Sequence, residues 1–238
     1  MEKGVRFIGR HYSDSPNWKR LIVESNIPEK LAPLKDISRN LWWVWNTKAR
    51  QLFEYIDPIL WDQSAHNPIV LLEEVNYNRF IELAKDDEFI YKMEWVANEL
   101  KTYLAERPAA ESSRIAYFSM EYGLHDSLKI FSGGLGVLAG DYLKEASDSK
   151  MNMRGVGLLY RYGYFKQTLN NRGEQIANYE AEHFSKIPVQ PVMKNGEWLK
   201  VEVDLPGRKL QAKVWEVAVG SISLYLLDAD LEGNWDED

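Results

Sequence analysis

Phe131-Ser132-Gly133-Gly134-Leu135-Gly136-Val137-Leu138-Ala139-Gly140-Asp141 is the stretch whose reading decides the fold. Gly133, Gly134 and Gly136 let the backbone turn where a side chain would clash. Leu135, Leu138, Tyr142 and Ala146 then recur at helical spacing. The stretch reads as a glycine-rich turn feeding the N-terminus of a helix. Such a turn presents free N–H groups and the positive end of the helix dipole, which suits a phosphate or another oxyanion. Gly134, Gly136 and Ala139 fit the G-x-G-x-x-A dinucleotide pattern, whose specificity alone is low, and no Gly-Lys-Ser/Thr follows, so this is not a P-loop. A tight strand-to-helix turn without a ligand accounts for the spacing equally well.

The flanks give the turn its context. Ile115-Ala116-Tyr117-Phe118-Ser119 is a short apolar run that predicts a buried strand, and Met153 to Tyr160 predicts a second. Strand, helix, strand implies a right-handed crossover in a parallel sheet. Ligands of such sheets bind at the carboxyl ends of the strands, where this turn falls.

Upstream, residues 1 to about 28 read as irregular, with Pro16 and Pro28 as breakers. From Glu29 the pattern is helical: Leu31, Leu34, Ile37, Leu41 and Trp45 fall at three- and four-residue steps. Leu52, Phe53 and Ile56 mark a second short helix, stopped near Asp57-Pro58. Asn67-Pro68 starts another over Ile69 to Val75. Phe89, Met93, Val96, Leu100 and Leu104 form the stripe of a longer helix from Asp87. Arg107-Pro108-Ala109-Ala110 ends it as a linker, so 29–106 is expected to be all-helical. Downstream, the signals are hairpins. Asn170-Asn171-Arg172-Gly173, Asn195-Gly196, Pro206-Gly207 and Gly220-Ser221 each separate two apolar runs. The acidic end at Asp236-Glu237-Asp238 is expected to follow a strand with nothing packed upon it, as in a piece of a longer protein.

Composition narrows the function classes. The chain has 238 residues, 45% hydrophobic and 27% charged, an ordinary globular balance. A net charge of -7 argues against nucleic acid or an anionic membrane as partner. The absence of cysteine removes disulfides, thiolate catalysis and Cys-ligated zinc. No secretory leader and no apolar run of membrane-spanning length is visible, so a cytoplasmic protein is expected.

Few side chains stand out as chemistry. His11, His66, His125 and His183 are scattered without metal-ligand spacing, so no metal site is expected. His125-Asp126 reads either as a surface loop pair or as a group pointing into a cleft. Glu121 and Asp126 would make a carboxylate pair for glycosidic chemistry only at the right separation. Arg161, Tyr162 and Lys166 would serve an anionic or sugar substrate, or simply an exposed strand face. Trp42, Trp43 and Trp45 could stack on sugar faces, although buried aromatic core is the commoner arrangement.

Several blocks in order resemble the α-glucan (glycogen, starch, maltodextrin) phosphorylases. They are Arg114 to Tyr122, Ser132-Gly133-Gly134-Leu135-Gly136, Val156 to Gln167, and Tyr225-Leu226-Leu227-Asp228-Ala229-Asp230. The helical stretch with Asn40-Leu41-Trp42-Trp43-Val44-Trp45-Asn46 is similar to the N-terminal domain of the shorter bacterial and archaeal members. The resemblance covers about residues 20–238.

The resemblance implies an α/β chain: an all-helical domain over 1–110, then at 111–238 the first part of a Rossmann-like lobe of the glycosyltransferase-B fold, with added β-hairpins. It implies phosphorolysis of α-1,4-glucan or maltodextrin by inorganic phosphate, releasing glucose 1-phosphate, with pyridoxal phosphate as cofactor. By position, Gly134 and Tyr117 would contact the cofactor, and Gly133 and Leu135 would border the glucose subsite. The cofactor's Schiff-base lysine and the cationic phosphate clamp belong to a second lobe that this sequence lacks. No catalytic residue is therefore expected in these 238 residues, which alone would be inactive, and homo-oligomerisation is left open. Ser132 stands where the family often has Asn. Two alternatives stay open: a nucleotide-sugar glucosyltransferase of the same fold (glycogen synthase-like), and a non-enzymatic glucan-binding module using the tryptophan cluster.

Overall fold

Side-chain caps decide where most of the N-terminal helices begin. The computed structural model describes residues 27–106 and 114–235. Short 3-10 turns at Glu29–Leu31 and Leu41–Val44 flank α1 (Pro33–Arg39). There follow α2 (Thr47–Ile56), α3 (Pro58–Gln63), α4 (Pro68–Glu74), α5 (Tyr77–Leu83) and α6 (Asp87–Ala105). Asn46, Asp57, Asn67, Asn76 and Asp86 precede α2 to α6, and each side chain accepts backbone N–H groups of the first turn. Each such cap is worth about 1 kcal/mol. The helical expectation for 29–106 holds. α3 and α5 are additions to it: Asp57-Pro58, read as a stop, is also a cap followed by a proline at the first helical position, which starts a helix. Almost all of the irregular segment expected up to residue 28, and the linker expected at 107–110, lie outside the described residues.

The helices close over an apolar core. Leu31, Leu34, Ile37 and Leu41 are buried as their spacing required, and so are Phe89, Met93, Val96 and Leu100 of α6. Trp42 and Trp43 are buried with them. Trp43 is 1% exposed and meets Phe53 and Trp61 edge-on, at ring distances of 6.0 and 5.8 Å. This removes the sugar-platform reading of the tryptophan cluster, because no face of these two indoles is free for a ligand. Trp45 is half-buried, and its indole N–H donates to Asp148 at 3.2 Å.

The second part is a mixed sheet. β1 (Ile115–Phe118) pairs in parallel with β2 (Met153–Leu158), and between them runs α7 (Gly134–Asp148), so the strand–helix–strand order forms as expected, but β1, expected to be buried, is mostly exposed, with Tyr117 alone half-buried. β3 (Lys166–Leu169) and β4 (Gln175–Asn178) make a separate hairpin around the Asn170 turn. β5 (Gln190–Pro191), β6 (Met193–Lys194), β7 (Glu197–Trp198), β8 (Lys200–Leu205), β9 (Arg208–Val219) and β10 (Ile222–Asp228) follow. β6–β7, β8–β9 and β9–β10 are the other three of the four expected hairpins, with Asn195, Gly196, Gly207 and Gly220 at positive φ in their turns. The main sheet runs β1-β2-β10-β9-β5, with β8 also on β9.

Here one expectation is corrected. The last long strand, β10, does not lack packing: it lies between β2 and β9, with every second residue from Ile222 to Asp228 buried. Its sequence, Ile222-Ser223-Leu224-Tyr225-Leu226-Leu227-Asp228, alternates as a strand with one covered face should. The architecture is thus α/β. No helix among the described residues is long and apolar enough to cross a membrane.

Helices and sheet share one core, and buried polar bonds set their register. The Asn40 amide donates to the Gly220 carbonyl at 3.1 Å, while its oxygen accepts the Gly220 N–H at 2.9 Å and the Trp42 N–H at 2.9 Å. At α6, the Tyr103 hydroxyl lies 2.6 Å from both Ser147 Oγ and the Asp148 carboxylate of α7. Burial first, then the Asp148 hydrogen bond, pushes the Tyr103 pKa above the ordinary phenol value, which keeps the hydroxyl a donor.

Candidate functional site

The site is assembled at the end of β1. Tyr122 is fully buried and plugs the space beneath the loop that leaves the strand. Its hydroxyl is within hydrogen-bonding reach of the Tyr117 and Val156 carbonyls, at 2.8 and 3.0 Å. Burial raises its pKa to about 12. A Cβ at Gly157 of β2 would lie 2.8 Å from the Tyr122 ring. Glycine there is what lets the tyrosine reach across the sheet.

α7 is then drawn against this loop by glycines with different tasks. A Cβ at Gly140 would come within 2.2 Å of the Gly123 carbonyl oxygen, and one at Gly136 within 2.5 Å of Phe131 Cβ. The Gly123 N–H donates to the Gly136 carbonyl at 2.6 Å. Gly136 and Gly140 are therefore demanded by packing. Gly133 and Gly134 are not: a Cβ at either meets nothing within 4 Å, and Gly133 is extended at φ -173°. The turn was expected to use its glycines for backbone conformation. None of Gly133, Gly134 and Gly136 has a positive φ; two of them border open space instead.

That open space faces an uncapped helix. α2 to α6 each begin behind an Asn or Asp side chain, whereas α7, 15 residues long, begins behind Gly133 with no side-chain cap. Its first N–H groups and dipole are left to an external acceptor. Glu121 holds the approach to the turn. Its carboxylate accepts the Ser132 hydroxyl at 3.2 Å and the Ser132 N–H at 3.4 Å. Nothing in the sequence pattern paired these two residues, because the loop that joins them has no period.

The hollow beside the turn is lined by Glu121, Lys129, Phe131, Ser132, Tyr160 and Tyr164 among others, and measures about 190 Å³. Small-molecule sites span roughly 300–1,000 Å³, so it accommodates part of a ligand. The Tyr160 hydroxyl donates to the Met120 carbonyl at 3.2 Å, and its pKa is raised by burial and then by the Glu121 charge. Lys129 pairs with Glu182 at 2.9 Å. Among the described residues that line this hollow it is the single cation, and it is already engaged.

The expected site residues fall as follows. Gly133 and Gly134 are at the helix start. Leu135, in the first turn of α7, is 60% exposed. Tyr117 lies on β1 and packs edge-on against Tyr122 and Tyr142, at 6.1 and 5.1 Å. Leu135, Leu138 and Tyr142 of the apolar stripe face outward, whereas Ala139, Leu143 and Ala146 are the buried side.

Other candidates are reassigned. His125 is half-buried beside the exposed Asp126 and does not point into a cleft. Its ring packs edge-on to Trp43 at 4.7 Å, and its Nδ1 accepts the Ser127 N–H at 3.0 Å. Burial pushes its pKa down to about 4. Glu121 is engaged by Ser132, and Asp126 lines a different hollow. Arg161 is paired with Asp230 and lies over the Phe184 ring, which makes it a structural cation. Tyr162 and Lys166 are exposed.

A family described as "Protein of unknown function (DUF3417)" matches residues 27–128. The maltodextrin phosphorylase of Thermococcus litoralis is 39% identical over 224 residues, 91% of this chain and 27% of that protein. The glycogen phosphorylase of Mycobacterium tuberculosis is 41% identical over 231 residues, 91% of this chain and 27% of that protein. Over this stretch the chain is similar to the glycogen and maltodextrin phosphorylases. The glycogen phosphorylase of Aquifex aeolicus agrees, at 41% identity over 208 residues, 84% of this chain and 29% of that protein. The chain thus spans about a quarter of the length of these phosphorylase relatives.

Proposed function

We propose that the described residues supply part of the phosphate and sugar site of an α-glucan phosphorylase. The whole enzyme would cleave α-1,4-glucan with inorganic phosphate and release glucose 1-phosphate. The helices up to Ala105 would belong to a helical N-terminal domain over 1–110, and the sheet to the first Rossmann-like lobe of a glycosyltransferase-B fold over 111–238. The observation that carries the reading is the uncapped start of α7, where Gly133 and Gly134 leave room for an oxyanion against free N–H groups. Fixed donors of this kind stabilise charge that develops on phosphate oxygens.

Pyridoxal phosphate fits this cradle through its phosphate, which is what an uncapped glycine start accepts. When bound, it would supply a phosphate able to exchange a proton with the substrate phosphate. Gly134 would present its N–H to the phosphate groups, and Tyr117 would border the pyridoxal ring. Gly133 and Leu135 would border the glucose. Glu121 would hold the turn open through Ser132.

The nucleotide-sugar alternative lacks support, since the Lys-Thr usual before its glycine turn is Phe131-Ser132 here. The binding-module alternative loses its platform with the burial of Trp42 and Trp43. The test is glucose 1-phosphate release from maltodextrin and inorganic phosphate by the native gene product, with and without pyridoxal phosphate. Cofactor-dependent release is expected. Glucosyl transfer from ADP-glucose without phosphorolysis would overturn the proposal.

A further inference from the structure

The β3–β4 hairpin stands apart from the main sheet. It forms a two-stranded sheet of its own, and among the described residues neither strand has a second neighbour. Both strands are exposed throughout, except that Asn178 is half-buried. A lone two-stranded hairpin is marginally stable in water, and its free edges present unpaired N–H and C=O groups.

The edge of β4 lacks the devices that usually guard such a row. Gln175-Ile176-Ala177-Asn178 carries no charge and no proline, whereas β3 opens with Lys166. Pairing with β3 runs residue for residue from Leu169 opposite Gln175 to Lys166 opposite Asn178, so no bulge twists the edge away. The hairpin also shows apolar surface to water: Leu169 is 65% exposed and Ile176 42%, with Tyr164 and Tyr179 exposed at its base.

Charge selects what fits beside this edge. Arg172, in the turn before β4, and Glu180, just past its end, are exposed, and neither has an ion-pair partner among the described residues. They lie on the order of 20 Å apart along an extended strand, too far to pair within one chain. A two-fold axis through Ile176, perpendicular to the hairpin, would run a second β4 antiparallel beside the first. Directly opposite residues of an antiparallel pair share a face, and this register keeps that rule. Ile176 then meets Ile176 of the second copy, Gln175 meets Ala177, and Arg172 meets Glu180 in both halves. An exposed ion pair adds little affinity but fixes register and partner. One sequence satisfies both charges only when the partner is the same sequence turned about a two-fold axis.

We propose that the β4 edge is an interface between two copies of this chain, joining their hairpins into one four-stranded antiparallel sheet. Tyr164, at the base of the hairpin, lines the hollow beside the glycine turn, so the pairing would also fix one wall of that hollow.

The test uses the native gene product. Sedimentation equilibrium compares wild type with Arg172→Glu, Glu180→Arg and the double swap, and circular dichroism melting checks each fold. In parallel, Ile176→Cys and Leu169→Cys are oxidised mildly and run on non-reducing gels beside wild type. Residues opposite each other across an antiparallel pair have Cβ atoms about 4.5–5.5 Å apart, close to disulfide range. The expected result is a dimer whose dissociation constant rises about tenfold or more in each single swap and recovers in the double swap. Ile176→Cys should form a disulfide-linked dimer, and Leu169→Cys, on the far strand, should not. If a further contact holds the dimer together in all three swaps, the Ile176→Cys crosslink decides, since it reads this edge alone. A wild type that stays monomeric at ~100 µM would overturn the inference. So would a dimer without the Ile176→Cys crosslink, or equal crosslinking through Leu169→Cys.

Discussion

Gly140→Ala should destabilise the chain even though alanine is the better helix former. The new Cβ would sit 2.2 Å from the Gly123 carbonyl oxygen, and ordinary contact begins near 3.4 Å, so helix or loop must retreat by roughly 1.2 Å. The neighbour is backbone, held by the 2.6 Å bond from the Gly123 N–H to the Gly136 carbonyl, so no side chain can swing aside. Overpacking of this kind costs about 1–3 kcal/mol. Weakening the Gly123–Gly136 bond adds about 1 kcal/mol, and helix propensity returns about 1 kcal/mol. The net loss is about 2 kcal/mol, which for a chain of this size lowers Tm by roughly 4–8 °C. Thermal unfolding followed by circular dichroism measures it. An unchanged or raised Tm would show that propensity wins, and that α7 is not held against the loop by glycine contact.

Other outcomes follow from the same geometry. Asn40→Ala strands the buried Gly220 N–H and carbonyl; at about 1–3 kcal/mol for an unsatisfied buried group, urea unfolding should show a loss of about 2–4 kcal/mol. Trp43→Ala empties a site walled by Phe53, Trp61 and His125, so about 3–5 kcal/mol should be lost, and any drop in glucan binding should track unfolding. His125 titrates near 4 in the folded chain and near 6.5 unfolded. The unfolded chain takes up the proton first, so stability present above pH 6.5 should fall by about 3 kcal/mol between pH 6.5 and pH 4. His125→Gln should flatten that part of the pH–stability curve. Gly134→Ala, with open space around its Cβ, should leave Tm within about 2 °C of wild type, since only a small propensity gain is at stake.

Much of this fold is legible in the sequence because its signals are local. The Asn67 cap, the stripe from Phe89 to Leu100 and the Asn195-Gly196 turn each act within a few residues, and each formed as read. α5 was missed because Asn76 caps a helix with a short apolar stripe, Phe80 and Leu83, of little periodic weight. The placement of β10 between β2 and β9 depends on long-range pairing, which no window of sequence reports. The site divides the same way. The glycine turn and its helix were visible. The division of labour among Gly133, Gly134, Gly136 and Gly140 was not, since it depends on whether Gly123 and Phe131 come close in space. Glu121 was noticed for the wrong partner: Asp126 is near in sequence, whereas Ser132 is near in the fold. His125 and Trp43 each looked chemical alone and proved to be packing against each other.

The central claim is that the open start of α7 receives a phosphate oxyanion in an α-glucan phosphorylase. Its most direct test is glucose 1-phosphate release from maltodextrin and inorganic phosphate by the native gene product and its Gly134→Ala variant. The added methyl would occupy the space the oxyanion needs while leaving the fold intact. A fall of about 10²-fold or more, the scale of losing a fixed oxyanion donor, at unchanged Tm is the predicted result. Equal activity in the two proteins, or no phosphorolysis by the wild type, would contradict it.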